Sequence, residues 1–283
     1  MTAVADLSDL INRLTGGNSG TPQNVWWTKN ARIAGAAVAG VPIAGRPYSL
    51  WTFDGCPSAG VAPTTWANPD NTTAGALKQA SPGGGREQWL TGFFASGLNA
   101  GTVLLYDRLG HIGNLNGTTT TAQTFTGTIT RNTGGLGNVA WYEIYGNTTS
   151  ILGATGTTLT MSYTNEAGTA GRTSPAVAIG GTGFREGNQA RFIPLQSNDK
   201  GIQSVQNLDL VASTGTAGAF GVTVAKPLAF AGVDSTGTAG WRDFVTGMPG
   251  LPEVEAGACL ALLWIPNTTT APELQGCVSL VEA

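Results

Sequence analysis

TTLTMSYTNEAGTAGRTSPAVAI, residues 157–179, holds a complete β-hairpin. Leu159, Met161 and Tyr163 alternate with Thr158, Thr160, Ser162 and Thr164, the period-two pattern of a strand with one buried face. Asn165 to Gly171 then supplies turn chemistry, an Asn and glycines among small or polar residues. Thr173 to Ile179 resumes the alternation through Val177 and Ile179. Pro175 lacks a backbone N–H, which confines this second strand to an edge or to its first residues.

The same economy of strand and turn extends through the chain. Glycine accounts for 42 of 283 residues without a three-residue period, so collagen is excluded, and scattered Trp, Phe and Leu argue against disorder. Charged residues are only 11%, where about a quarter is usual. Two readings fit that deficit: a polar surface lying against other subunits, or a β domain solubilised by Thr and Asn. The net charge of -3, with no basic block, recommends no nucleic-acid partner.

Cys56, Cys259 and Cys277 are widely spaced, without a CxxC, which speaks against a metal site and a disulfide framework. Cys259 and Cys277 make one bridge if their strands are neighbours; otherwise three buried thiols are expected. MTAVADL lacks the basic and apolar regions of a signal peptide, and residues 32–45 are too short and too broken by Gly and Pro to span a membrane. The sequons at Asn71, Asn116, Asn147 and Asn267 then read as turns.

Taken in order, residues 1–20 form an amphipathic arm and hinge. Thr2 is the expected cap, with Val4, Leu7, Leu10, Ile11 and Leu14 on one face, Asp6, Asp9, Asn12 and Arg13 on the other, and Gly16-Gly17 as the stop. So short a helix is marginal alone and must dock, on its own body or on another protein. Residues 21–120 read as a first β region with long loops, and residues 121–283 as a β-sandwich domain. In Trp26-Trp27, adjacent strand positions face opposite sides, so one indole is expected inside and one at a surface or interface. PYSLWTFDG and TVLLYDRL read as strands, the latter buried, with GHIGNLNG leading out of it. TFTGTIT, WYEIYG, QARFIPLQS, GIQSVQNLDLVAS, FGVTVAKPLAF and CLALLWIPN follow as further strands. Regular strands and Gly/Thr-rich turns indicate a mainly β fold, a β-sandwich or jelly roll with a short N-terminal helical arm.

Catalytic chemistry finds little support. His111 is the single histidine, and Asp107 four residues earlier has no fixed relation to it in a strand-and-loop context. No GxSxG occurs, no spacing singles out two carboxylates, and GGTGFREG lacks the Lys-Ser/Thr of a phosphate loop. No catalytic, cofactor-binding or metal-binding residue is therefore assigned, and His111 is expected in a loop or at an interface. Trp66, Trp89, Trp141 and Trp241 admit a sugar-stacking platform or core and interface anchors, the second being preferred. Arg172, Arg185, Glu186, Asp199 and Lys200 are expected in solvated loops or inter-subunit ion pairs.

LLYDRLGHIGNLNGTTTTAQT (residues 104–124), WYEIYG, SYTNEAGTAGRTSPAV and the closing FGVTVAKPLAF…LPEVEAGACLALLWIPNTT together resemble a family of tailed-bacteriophage virion structural proteins. The resemblance covers roughly residues 86–283 and supplies no catalytic residues. It implies a virion component made in the host cytoplasm without a signal peptide and mounted in many copies. Within that class, the low charge and the detachable helix suit a capsid decoration (cement) protein. Its expected partners are the major capsid protein and itself, as a homotrimer, with neither nucleic acid nor membrane. The interface residues expected are Leu7, Leu10, Ile11, Leu14, Trp26 and Trp27. The alternative is a tail-fibre or tail-tip adhesion module that binds a host glycan.

Overall fold

The computed structural model describes residues 4–18, 20–30, 42–83, 86–145, 151–234, 237–245, 251–270 and 273–282. Within them one helix, α1 (Leu7–Leu14), precedes a succession of strands. The first are β1 (Pro22–Asn30), β2 (Tyr48–Ser49), β3 (Gly55–Cys56), β4 (Gln88–Gly97), β5 (Gly101–Leu115) and β6 (Gln123–Thr128). Then come β7 (Val139–Ile144), β8 (Gly156–Asn165), β9 (Arg172–Thr173), β10 (Val177–Gly180), β11 (Ala190–Ile193) and β12 (Ile202–Leu210). The last are β13 (Phe220–Val233), β14 (Ala239–Asp243), β15 (Glu253–Val254), β16 (Leu260–Pro266) and β17 (Glu273–Glu282).

The 157–179 hairpin forms as expected. Leu159 faces Val177 and Tyr163 faces Arg172 across an antiparallel pair, and Leu159, Met161 and Tyr163 are fully buried. Asn165 Oδ1 accepts from the backbone N–H groups of Ala167 and Thr169, closing the turn. Pro175 falls in the break between β9 and β10, at the sheet edge. Ser174 bridges that break: its N–H donates to Met161 O, and Met161 N donates to its Oγ, both at 2.9 Å.

Three antiparallel sheets result. One has the order β14-β4-β17-β1-β3 with β15 beside β4; a second runs β10-β8-β12-β6 with β9 beside β8; the third runs β11-β7-β13-β5-β16-β2. The third contributes to two large hydrophobic cores because β5 and β13, 15 and 14 residues long, extend through each, and a smaller cluster around Trp51, Tyr106 and Trp141 also draws on its strands. One end packs on the first sheet through Val103, Leu105, Ala231, Leu262 and Trp264, with Trp27, Phe93, Val278 and Leu280 opposite. The other packs on the second sheet through Leu109, Tyr142, Phe220 and Val222, with Leu159, Met161, Val205 and Leu208 opposite. Each fully buried side chain of this size contributes roughly 1.5–3 kcal/mol, which makes the body a β-sandwich built on a shared central sheet.

Pairing crosses residue 120 throughout: β5 lies between β13 and β16, and β1 pairs along its length with β17. The division between residues 21–120 and 121–283 is therefore not a seam in the sheets. β5 also continues through His111 to Leu115, where an exit loop was expected. Cys56 is exposed, not buried as expected, while Cys259 and Cys277 are buried and all three are free thiols.

The helix differs from its expected form in its cap and its orientation. Asp6 is the N-cap, its carboxylate accepting from Asp9 N at 2.8 Å; Thr2 lies outside the described residues, as do Asn147 and most of residues 32–45. Leu10 and Arg13 are buried, whereas Leu7 and Ile11 remain 54% and 51% exposed. The helix packs on β17. There Val281, which alternates with the core residues Val278 and Leu280, is fully buried. The helix thus docks on its own body with half of its apolar stripe uncovered.

Candidate functional site

Tyr106, Arg108 and His111 on β5, and Trp141 and Glu143 on β7, meet on one side of the central sheet. They reach each other across β13, where Thr223 pairs with both His111 and Trp141, and Ala225 with Arg108. Only small residues on the intervening strand leave room for that reach. Arg108 is 0% and Glu143 1% exposed, and they form a two-pronged ion pair, Nη1–Oε1 2.9 Å and Nη2–Oε2 2.5 Å. Trp141 Nε1 donates to Glu143 Oε1 at 2.8 Å, and Arg108 Nη2 donates to the Tyr145 hydroxyl at 2.6 Å. Arg108 Nε donates to His111 Nδ1 at 3.0 Å, and the guanidinium lies 4.6 Å from the Trp51 ring.

Electrostatics follow from that geometry. Burial pushes the Glu143 carboxyl up, but Arg108 and the hydrogen bonds from Arg108, Trp141 and Tyr145 outweigh it and hold the group well below the carboxylate range. Burial and then the Arg108 charge drive His111 well below 6.5, so the ring is neutral and accepts from Arg108. His111 is therefore a sealed strand residue, not the loop or interface histidine expected. Asp107 points elsewhere: it pairs with Arg131 at 2.8 Å and accepts from Cys259 N at 2.8 Å. Among the described residues no group of three or more His, Cys, Asp or Glu side chains is placed to hold a metal, and no helix is long and apolar enough to cross a membrane. Asp199 pairs within the chain: from the connection between β11 and β12 it binds Arg172, Tyr163 and Asn165 of the 157–179 hairpin.

The expected interface residues divide. Trp27 is 1% exposed, stacked near Phe93 with ring centroids 6.3 Å apart, and Leu10 is 4% exposed, so both belong to the chain's own packing. The alternation along β1 explains Trp27, and Gly276 on the neighbouring strand makes room, since a Cβ there would come within 2.4 Å of the indole. Leu14 is half-buried, and Leu7, Ile11 and Trp26 are exposed.

Trp26 does not stand alone. Register pairs Trp26 with Cys277, Cys277 with Phe94, and Phe94 with Trp241, which places four side chains in one row across β1, β17, β4 and β14. Trp26 and Trp241 are 70% and 63% exposed. Trp241 leans edge-on over Phe94, ring centroids 6.1 Å apart. Between the indoles lies a recess of about 250 Å³ floored by Gly92, Phe94, Cys277 and Ser279 and bordered by Asn24. On the other side of the row a depression of about 370 Å³ is lined by Thr28, Asn30, Ser96, Gln275 and the carboxylate residue Glu273, among others. The four tryptophans first weighed as a platform are not one: Trp141 is buried, and Trp66 stacks on Phe125. Trp26 was expected at a surface, but its grouping with Phe94, Cys277 and Trp241 was not read, because β14 and β17 had not been recognised as strands and only their pairing puts Trp241 beside Phe94.

No protein-family model matches this sequence, and no curated protein does. Among solved structures, a mutant VP2 protein of infectious bursal disease virus in derived T=1 particles aligns over 93% of this chain and 77% of its own, at 9% identity and a TM-score of 0.18. The VP2 subviral particle of the same virus aligns over 93% and 80%, at 10% identity and a TM-score of 0.20. TM-scores this low assign neither a fold nor a role.

Proposed function

We propose that this chain is a structural protein of a tailed-bacteriophage virion, and within that class a capsid decoration protein. It adds as an oligomer, a trimer, to a shell of major capsid protein and ties neighbouring capsomers together. The observation that carries this reading is α1: an N-terminal helix that docks on the body yet leaves Leu7 and Ile11 more than half exposed. A stripe covered on one side offers its other side to a second protein. The sequence resemblance and a charge content of only 11% support the same reading, since a building block is covered by its neighbours. Many modest apolar contacts of this kind stabilise a shell by mass action and multivalency.

The test is co-sedimentation with capsids that lack the protein. The Leu7→Asp/Ile11→Asp variant alters exposed positions and is expected to keep the wild-type melting temperature while losing capsid addition. Undiminished addition would discard the helix as the contact. Copy number per virion tests the location: hundreds of copies support decoration, and a few to a few dozen would place the chain in the tail.

A further inference from the structure

We propose that the recess between Trp26 and Trp241 is a binding site for a neutral saccharide, an activity separate from attachment to a shell. The two indoles stand three strand spacings apart, about 14 Å between backbones, and flank a floor of Gly92, Phe94, Cys277 and Ser279. Gly92 is the reason the floor is open. A Cβ at this position would make only ordinary contacts, the nearest atoms lying at 3.6 Å, so the backbone does not demand glycine and the space above it is empty of side chain.

The chemistry of the walls selects the ligand class. An indole face is apolar and electron-rich, and complements the C–H face of a pyranose ring. Ser279 Oγ donates to Asn24 Oδ1 at 2.8 Å, which fixes the amide and leaves its N–H groups as donors at the rim. None of the residues lining the recess carries a formal charge, and the nearest charge in register, Asp243 beside Gly92, is acidic, so an acidic sugar is disfavoured against a neutral one. A flat apolar protein partner fits less well. The aromatic row is bordered by Asn24, Ser279, Gly92 and Asp243 on one side and by Thr28, Gln275 and Ser96 on the other. Covering those amides and hydroxyls with apolar surface would strip their water and return no hydrogen bonds. Sugar hydroxyls replace that water directly. The recess holds one ring, and the depression across the row extends the track on the same face of the sheet.

The full-length protein is applied to a glycan microarray carrying neutral hexose and N-acetylhexosamine oligosaccharides beside sialylated and uronic-acid ones. The best neutral ligand is then titrated by intrinsic tryptophan fluorescence. Binding confined to neutral glycans is expected, at least tenfold weaker in Trp26→Ala and in Trp241→Ala. Gly92→Leu, which fills the recess and removes nothing, is expected to abolish it. The indoles are exposed, so the alanine variants should melt with the wild type, which separates loss of the site from loss of the fold. Absence of neutral-glycan binding would overturn the proposal, as would binding indifferent to Gly92→Leu. So would a concentration-dependent oligomer in light scattering that Trp26→Ala dissolves, because the face would then join copies of this chain. Capsid addition is read in parallel: the recess variants should retain it and the Leu7/Ile11 variant should lose it, so either idea can fail alone.

Discussion

Glu143→Gln isolates the charge of the buried network with almost no change of shape. Arg108 then keeps its full charge at 0% exposure and has lost the carboxylate it pairs with among the described residues. The amide also presents an N–H group to an arginine N–H group, where two charge-assisted bonds had been. Removing one member of a buried pair costs about 3–5 kcal/mol. In a chain of this size each kcal/mol moves the melting temperature by about 2–4 °C, so a drop of about 10 °C is expected. The measurement is equilibrium urea unfolding at neutral pH, followed by fluorescence and circular dichroism together so that a single transition can be verified. Arg108→Met and the double variant Arg108→Met/Glu143→Leu complete a cycle. The double variant should cost less than the sum of the singles by at least about 2 kcal/mol, because it leaves no orphaned charge. A Glu143→Gln variant within about 1 kcal/mol of wild type, or strictly additive variants, would refute the claim that charge pairing holds this site together.

Further expectations concern pH, packing and thiols. His111 is neutral in the fold with its pKa held far below 6.5, so below that pH the unfolded chain binds a proton the folded chain does not. Stability should accordingly be complete above pH 6.5 and decline as the pH falls beneath it; urea midpoints across pH 4.5–7.5 should show the decline, flattened in His111→Phe. Glu143 adds acid sensitivity in a lower window, its contribution present above the ordinary carboxylate range and lost as the pH falls through its depressed value. Gly110→Ala should destabilise by about 1–3 kcal/mol, because a Cβ there would lie 2.3 Å from the Trp66 ring, and Trp66→Ala should relieve most of that penalty; equal losses in both backgrounds would contradict it. Ellman's reagent should titrate Cys56 in the native protein and reach Cys259 and Cys277 only in denaturant.

The hairpin at 157–179 was legible because its face is buried on one side only, so alternation marks each inward residue. Trp26-Trp27 was legible for the same reason, one indole inside and one out. β5 was read too short because both faces of its second half are covered: Leu109 and Ile112 enter one core while Arg108 and His111 join the polar network. A strand polar on one buried side and interrupted by Gly110 and Gly113 resembles a loop in composition. Short strands such as β14 were illegible because Ala239–Asp243 has no alternation of its own and is a strand only through its pairing with β4. The row Trp241–Phe94–Cys277–Trp26 therefore had no signal in any single segment. Its members lie far apart in the chain, and register between strands is the one property that assembles them.

The placement of charge gives the low charge content a sharper meaning. Lys29, Asp107, Arg108, Arg131 and Glu143 are all buried, drawn from a total of only 14 basic and 17 acidic residues. Lys29 is an extreme case, its ammonium donating to Phe53 O and Pro57 O at 2.9 Å each while burial lowers its pKa to about 8. A chain short of charge that still places this share of it inside leaves its exterior poorer than composition suggests. Repulsion between copies is then weak, and contacts made by that exterior draw on apolar area and neutral hydrogen bonds, with little long-range steering. Such contacts form slowly when components are dilute and hold well once many are made side by side. Under the proposed reading a subunit held among neighbours gains from such a surface at every contact, and the exposed half of α1 and the aromatic row of the first sheet then bear on function more than the buried titratable groups.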